Sequence, residues 1–366
     1  MFSKMDAISS SPLHNREVND PVKYVHKINL WFINVKNELR KICGPRVGEE
    51  LPRNRGRVSQ FRRIPRELII QTNNGIPMSG GLSMIRLANK NDGVYFKFNH
   101  SKNYQIAHLS FLLVSDHRFT NPQFSPHDNT YKHMEAMLEI ADSLFFKNEC
   151  LIASNIIESI IYQMQSAVHP HFRISDTMCR LEYRYIENRA FHIALLKYAY
   201  IVSNRACHRT ALEICKVLMN LDQSDPLAVA FVIDTFAIRA REYEWLVNAI
   251  EYLNKEKSAS SMFNMAYSHA LAKYHLAIRD NNERDKCAAT ELLRNAIYGF
   301  PVIAMFYLQL ASCREAVNFP TDPFFYLHSH CEIRLELTYN RCCKIHKYSF
   351  LELLFFVTTV KGEFVF

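Results

Sequence analysis

Apolar residues recur at helical spacing along most of the chain, with short polar breaks between the periodic stretches. Ala211, Leu212, Cys215 and Leu218, for example, would share one face of a helix, because residues three or four apart lie on the same side. The same reasoning predicts helices over residues 127–146, 149–166, 188–203, 208–221, 226–240, 243–254, 261–277, 284–299 and 302–315.

The predicted helices alternate in pairs that repeat at about 34–37 residues, which is the period of tetratricopeptide-like units. Each helix has one apolar face, and stacking pair upon pair would bury these faces. The predicted fold is therefore all-α, an irregular tetratricopeptide-like helical-pair array (α-solenoid) over residues 101–315. The units cannot be overlaid beyond their apolar spacing, so an irregular helical domain without a repeat is the alternative.

The chain outside the array follows other patterns. Residues 1–20 mix Ser, Asn, Pro and charge without periodicity, which indicates disorder. Residues 21–43 predict one isolated amphipathic helix, and a Gly-Pro pair follows it. Residues 44–100 predict a basic, loop-rich and partly extended segment with short strands. Residues 316–366 are an apolar, aromatic tail whose pattern diverges from the array.

The formal net charge of the chain is +8, and much of the basic excess lies between residues 40 and 66. Clustered arginines can neutralise the phosphates of a nucleic acid. The candidate nucleic-acid-binding residues are Arg46, Arg53, Arg55, Arg57, Arg62 and Arg63. A solvated linker that binds nothing is the alternative interpretation of the same run.

The cysteines and the apolar runs indicate in which cellular compartment the chain resides and whether it crosses a membrane. Ten cysteines lie at irregular spacing, and residues 1–17 contain no apolar signal-peptide core, so free thiols in a reducing compartment are expected. The longest apolar run, residues 348–360, contains Glu352 and is shorter than the roughly 18 residues that a bilayer requires. No membrane-spanning helix is predicted.

Motifs for catalysis or ligand binding are weak in this sequence. Residues 79–83 contain two glycines, but the lysine of a phosphate-binding loop does not follow them. Structural roles are favoured over metal binding for His127, His133, His169, His171, His328, His330, Cys331, Cys342, Cys343 and His346, whose spacing fits a tetrahedral site poorly. We expect no metal, no cofactor and no catalytic residues, and an enzyme of unrecognised type is the less favoured alternative.

Charged residues are dense within one otherwise helical region, residues 179–191. Arg180, Glu182, Glu187 and Arg189 are predicted to form an ion-pair network that joins one helical pair to the next, with a ligand site as the alternative. Arg239 lies in a second segment that has the same two interpretations.

Six polar segments resemble the transcription factor 25 family: SGGLSM at 79–84, FKFNHSKNYQ at 96–105, HPHF at 169–172, CRLEYRYIENRAFHIAL at 179–195, RTALEICKVLMNLDQSDP at 209–226 and AIRAREYEWL at 237–246. The resemblance runs from about residue 44 to residue 312. The residues of these motifs assigned to a structural network are Arg180, Glu182, Tyr183, Glu187, Asn188, Arg189, Arg209 and Arg239. The long acidic and lysine-rich N-terminal region usual in the family is missing or shortened here.

The resemblance implies a non-catalytic adaptor of the ribosome-associated quality control complex. Such an adaptor acts on 60S subunits that carry stalled nascent chains, and it supports ubiquitination and extraction for proteasomal degradation. The partners that it implies are the 60S subunit, a Listerin-type ubiquitin ligase, ubiquitin and a p97-type AAA ATPase, in the cytoplasm and not at a membrane. A nuclear transcriptional repressor that acts through protein contacts is the alternative.

Overall fold

The computed structural model describes residues 21–44, 69–70, 80–118, 133–257, 261–301 and 303. The predicted disorder at 1–20 and the apolar tail at 316–366 lie outside these residues. So do the six candidate arginines and most of the predicted helix 302–315.

The helices, in chain order, are α1 (Pro21–His26), α2 (Leu30–Ile33), α3 (Val35–Cys43), α4 (Lys102–Arg118), α5 (Met134–Phe146), α6 (Cys150–Ser166), α7 (Ile186–Asn204), α8 (His208–Leu221), α9 (Ile233–Arg239), α10 (Tyr243–Lys257), α11 (Phe263–Arg279) and α12 (Glu283–Gly299). The strands are β1 (Leu82–Lys90), β2 (Gly93–His100) and the short β3 (Cys179–Arg180).

Helices α5 to α12 form an array in which each helix contacts the next one along the chain. This confirms the all-α prediction. The successive pairs begin at Met134, Ile186, Ile233 and Phe263, so their spacing is unequal and the array is irregular. The tetratricopeptide-like character of the units stays a prediction.

Helix α8 lies at the centre of this arrangement. It contacts α7, α9 and β3 as well as all three N-terminal helices. As a result it is buried on nearly every side, including its charged residues Glu213 and Lys216. A helix surrounded in this way needs partners for every charge that it carries, because an unpaired buried charge is costly.

The helix predicted over residues 226–240 is shorter in the structure. Asp225 and Ala228 adopt positive φ angles, which a continuous α-helix does not allow. The Asp225 carboxylate accepts hydrogen bonds from the N–H groups of Val229 and Ala230, so the chain first forms a 3-10 turn at Val229–Phe231. The α-helix then starts at residue 233.

The single isolated helix predicted over residues 21–43 is three short helices in the structure. Asn29 and Asn34 interrupt it, because each side chain accepts a hydrogen bond from a backbone N–H two residues ahead and so starts a new helix. The segment is not isolated either, since α1 contacts α10 and α8, and α2 and α3 contact α8. We refer to residues 21–43 as the strap.

The predicted strands are present and are longer than expected. β1 and β2 pair in antiparallel fashion, and β3 adds to β2 in parallel, which gives the order β1-β2-β3. Phe96 and Phe98 of β2 are buried, and the ring of Phe98 packs edge-on against Phe191 of α7 at 5.7 Å between centroids. The sheet therefore lies against α7 and extends the array at its side.

Candidate functional site at two polar junctions of the array

The structure places the network residues predicted from sequence in two separate groups. The first group, the sheet junction, joins β2 and β3 to α7 and α8 and consists of Arg180, Glu182, Tyr183, Glu187, Asn188 and Arg189. Arg209 belongs to a second group, the strap junction, on α8. Arg239 lies apart from both, and its Nη1 donates to Ser203 Oγ at the end of α7, over 3.3 Å.

Asn188 is the central residue of the sheet junction. It lies in the first turn of α7 and is fully buried. Its Oδ1 accepts a hydrogen bond from the Phe98 N–H at 2.9 Å, and its Nδ2 donates to the Glu182 carbonyl at 2.8 Å. One amide side chain thus satisfies the backbone of a strand and of a loop, both of which would otherwise be buried without partners.

The segment that carries β3 is held to the C-terminal end of α8. The Leu181 N–H donates to the Leu221 carbonyl at 2.8 Å, and the Tyr183 N–H donates to the Asp222 carboxylate at 2.8 Å. Arg180 Nη1 donates to the Asn220 carbonyl at 2.9 Å, where the helix end carries partial negative charge. These bonds fix the loop against the array.

The ion pairs differ from the predicted network. Glu187 pairs with Lys97 of β2 at 2.8 Å, and Glu182 pairs with its neighbour Arg184 at 2.8 Å. Arg189 donates to the Tyr183 carbonyl at 3.2 Å and lies over the Tyr183 ring. The charges therefore join α7 to the sheet and the loop. The sequence prediction was incorrect on this point because it could not place Lys97 beside α7.

The strap junction begins with a carboxylate at the N-terminus of α8. The two oxygens of Glu38 accept hydrogen bonds from the N–H groups of Arg209, at 2.9 Å, and Thr210, at 2.6 Å. These are N–H groups that the helix itself leaves without partners, and the positive end of the helix dipole favours the negative charge. Thr210 Oγ1 in turn donates to the Phe32 carbonyl at 2.7 Å.

A buried ion pair lies one turn further along α8. The side chain of Glu213 is 0% exposed and that of Lys216 is 4% exposed, and they are joined over 3.1 Å. Arg209 Nε lies 3.1 Å from the same carboxylate, which also accepts the Asn29 N–H of the strap at 2.8 Å. Burial lowers the pKa of Lys216 to about 8; Glu213 raises this pKa and Arg209 lowers it.

The remaining strap contacts combine apolar and polar groups. Val25 and Ile28 are buried, and the Trp245 indole N–H of α10 donates to the Val25 carbonyl at 3.2 Å. Asn220 Nδ2 donates to the His26 carbonyl at 2.8 Å. Of this junction, sequence reasoning identified only Arg209, although charged Glu213 and Lys216 within an apolar helix are a signal that a polar partner covers them.

One group in the described part of the chain has metal-ligand chemistry: His108, His133 and Glu135, whose ligand atoms lie within 4.8 Å of one another. His133 Nδ1 accepts the Ala136 N–H at 3.2 Å and caps α5, so its proton lies on Nε2. Nε2 lies 2.7 Å from His108 Nδ1 and 3.1 Å from Glu135. A protonated Nε2 is a donor and not a metal ligand, so the group fits a hydrogen-bonded cluster.

Buried histidines predict a loss of stability in mild acid. Burial lowers the pKa of His133 to about 3, and lowers those of His100, His208 and His269 to about 4. An unfolded histidine has a pKa of about 6.5 and binds its proton first as the pH falls, so acid favours the unfolded chain. The stability associated with these neutral, buried histidines is therefore complete above about pH 6.5 and is lost progressively as the pH falls towards 4.

Urea unfolding at about pH 7.5, 6 and 5 checks this, since most carboxylates titrate below that range. A midpoint that stays constant over the range would contradict the prediction. The variant His269→Gln is expected to show a smaller decrease than the parent chain, because one of the titrating groups is removed.

Comparison with known proteins assigns the chain to a family. The family model described as "Transcriptional repressor TCF25" matches residues 96–347, which is more than half of the chain. The chain belongs to the transcription factor 25 family. All residues of the sheet junction lie within the matched region, and so does α8, while the strap precedes it. The match also continues past residue 312, where the resemblance recognised from the motifs ends, into the predicted tail at 316–366.

Relatives within the family are named for ribosome quality control. "Ribosome quality control complex subunit TCF25" of Homo sapiens is 32% identical over 323 residues, covering 83% of this chain and 46% of the relative. "Ribosome quality control complex subunit 1" of Schizosaccharomyces pombe is 25% identical over 319 residues, covering 86% and 48%. The chain thus spans about half the length of these family members. No solved structure matches it.

Across the helices in the described ranges, none combines the length and the apolar character that a transmembrane span needs.

Proposed function

We propose that this chain is a non-catalytic adaptor of the ribosome-associated quality control complex. It acts on 60S subunits with stalled nascent chains and supports ubiquitination of these chains and their extraction for proteasomal degradation. The observation that carries the proposal is membership of a family whose curated relatives bear the name of ribosome quality control subunits.

The arrangement of the array supports a binding role. Polar and charged side chains at the sheet junction and the strap junction are engaged in contacts that hold the elements together, such as Asn188 with the Phe98 N–H and Glu38 with the Arg209 N–H. A series of packed helices offers an extended and rigid surface for other macromolecules. We assign this surface to a Listerin-type ubiquitin ligase, to ubiquitin and to a p97-type AAA ATPase, with the chain in the cytoplasm.

The clustered arginines between residues 46 and 63, which we call the arginine run, are assigned to the binding of ribosomal RNA. Lysine and arginine contacts with phosphates release counterions, so the affinity falls steeply as salt rises. Neutralising five residues to glutamine is expected to lower co-sedimentation with 60S subunits about tenfold at physiological salt and to flatten the salt dependence. The five residues are Arg53, Arg55, Arg57, Arg62 and Arg63.

A charge-matched control uses five basic residues of α11 and α12: Lys273, Arg279, Arg284, Lys286 and Arg294. Their neutralisation changes the net charge by the same amount and is expected to leave co-sedimentation nearly unchanged. Equal sedimentation of the arginine-run variant and the parent chain would remove the run from the ribosome contact.

A second candidate function is a nuclear transcriptional repressor that acts through protein contacts. It is favoured by the description of the matching family model. Subcellular fractionation separates the two functions, because a ribosomal adaptor co-fractionates with cytoplasmic 60S subunits. Residence of the chain in the nucleus alone would support the repressor and contradict the adaptor.

A further inference from the structure

Strand β1 lies at the edge of the three-stranded sheet. Its neighbour on one side is β2, and in the described part of the chain it pairs with no other strand. An edge strand presents backbone N–H and C=O groups that can bind another extended chain. The direction of these groups follows from the hydrogen bonds of β2.

Along β2, the backbone N–H groups point alternately towards β1 and away from it. The Phe98 N–H is donated to Asn188 Oδ1, on the side away from β1. The Ser101 N–H, by contrast, is donated to the Gly81 carbonyl, on the side of β1. In an antiparallel pair, when the N–H and C=O of one residue point away from the partner strand, those of the residue opposite it also point away. Met84 is opposite Phe98, so its N–H and C=O point to the outer edge.

The same alternation extends in both directions along β1. Leu82 and Arg86, two residues before and after Met84, also direct their backbone groups outwards, because the register is regular from Leu82 to Arg86. The register shifts only between Arg86 and Asn89. Within the described ranges, no other strand pairs with this stretch of five residues and its three outward-facing peptide groups, and five residues is the usual length of a short strand.

We propose that this edge binds an extended acidic and apolar segment of a partner protein as a fourth strand. The backbone supplies the affinity, and two side chains supply the specificity. Neither the backbone geometry nor these side chains depend on the assignment to ribosome quality control.

The preference for an apolar residue in the partner strand comes from Ile85. Its side chain is 42% exposed and lies on the face opposite to buried Met84. Its neighbour within the sheet, Lys97, is already paired with Glu187. An apolar residue placed beside Ile85 on an added strand would cover it, as cross-strand neighbours do in other sheets.

The preference for an acidic residue in the partner strand comes from Arg86. Its Nη2 donates to Asn89 Oδ1 at 2.9 Å, and it has no ion pair with a carboxylate among the described residues. Among the described residues, Asp92 accepts a hydrogen bond from Tyr95, and Glu182 pairs with Arg184. Arg86 and Ile85 are consecutive, so the partner needs an acidic and an apolar residue at adjacent positions.

The test uses a fluorescein-labelled peptide of about eight residues in which valine and glutamate alternate, a length typical of strands. Titration with the purified full chain is expected to give saturable binding by fluorescence anisotropy. The same peptide with N-methyl groups on alternate amides cannot form the ladder on one side, and its affinity is expected to fall at least about tenfold. Equal affinity of the two peptides would overturn the proposal.

The protein side is tested with Arg86→Glu. This variant is expected to bind the valine–glutamate peptide about tenfold more weakly and to prefer a valine–lysine peptide. The control is Arg294→Glu, which reverses an exposed charge on α12 and is expected to bind like the parent chain. An unchanged preference in Arg86→Glu would also overturn the proposal.

Self-association is the competing occupant of this edge. Edge strands of two copies can pair with each other. If light scattering shows a dimer that Arg86→Glu dissociates, the edge belongs to a second copy and the proposed partner is wrong. A monomeric chain that fails to bind the valine–glutamate peptide is equally contradictory.

Discussion

Gly93→Ala is expected to lower the free energy of unfolding by about 2–3 kcal/mol, in the range of overpacked positions. A Cβ at residue 93 would lie 2.5 Å from the Met178 carbonyl oxygen and 3.0 Å from Arg180 Cγ. The first of these is a backbone atom, which cannot move aside as the end of a flexible side chain can. The methyl group therefore has to separate β2 from β3.

This separation would affect the sheet junction directly. The Val94 N–H donates to the Met178 carbonyl at 2.8 Å, and Arg180 holds the same segment to the end of α8. If β3 moves away, both contacts weaken together, so the cost exceeds that of a single lost hydrogen bond. The measurement is urea or thermal unfolding of the full chain followed by circular dichroism.

The control for Gly93→Ala lies in the same region of the chain. Gly80 precedes β1, and a Cβ there would meet nothing within 4 Å. Gly80→Ala is therefore expected to stay within about 0.5 kcal/mol of the parent chain, as surface substitutions usually do. A Gly93→Ala variant as stable as Gly80→Ala would show that β2 and β3 do not approach as closely as described.

Local patterns along the chain were sufficient to predict the helices of the array. The predicted helix at 208–221 has the observed bounds, because its apolar spacing is regular and polar residues flank it. The helix predicted at 226–240 was wrong at its start, since the positive φ at Asp225 and Ala228 depends on side-chain contacts that periodicity does not report.

Long-range contacts could not be predicted in the same way. Nothing in the pattern of residues 21–43 shows that Glu38 caps a helix that starts at residue 208. Lys97, likewise, is an ordinary polar strand residue until β2 is placed beside α7 and Glu187 becomes its partner. Family motifs identified the residues of the sheet junction, but the contacts of each residue required the fold.

Glu213→Gln is expected to destabilise the chain by about 3 kcal/mol, as breaking a buried ion pair commonly does. The substitution keeps an oxygen that can accept the Asn29 N–H, so the loss reports mainly the charge. Lys216 would then be a buried cation without its nearest carboxylate. The matched surface change, Glu291→Gln beside Arg294, is expected to cost less than about 0.5 kcal/mol.

Two further measurements separate the charge from a packing defect. The double variant Glu213→Gln, Lys216→Met is expected to recover much of the lost stability, because an apolar side chain needs no counter-charge. The pKa of Lys216 is lowered in the folded chain to about 8, against 10.5 unperturbed, so the unfolded chain binds more protons between these values and stability rises with pH. Parent and variant share this rise, so the defect in Glu213→Gln changes only where the folded-state pKa of Lys216 differs between them. Because Glu213 raises this pKa, its removal lowers the pKa below about 8, and the defect should shrink as the pH rises towards about 8 and stay constant above it. A defect that is constant with pH and persists in the double variant would mean that Glu213 acts through packing and that the strap is not held by a buried charge.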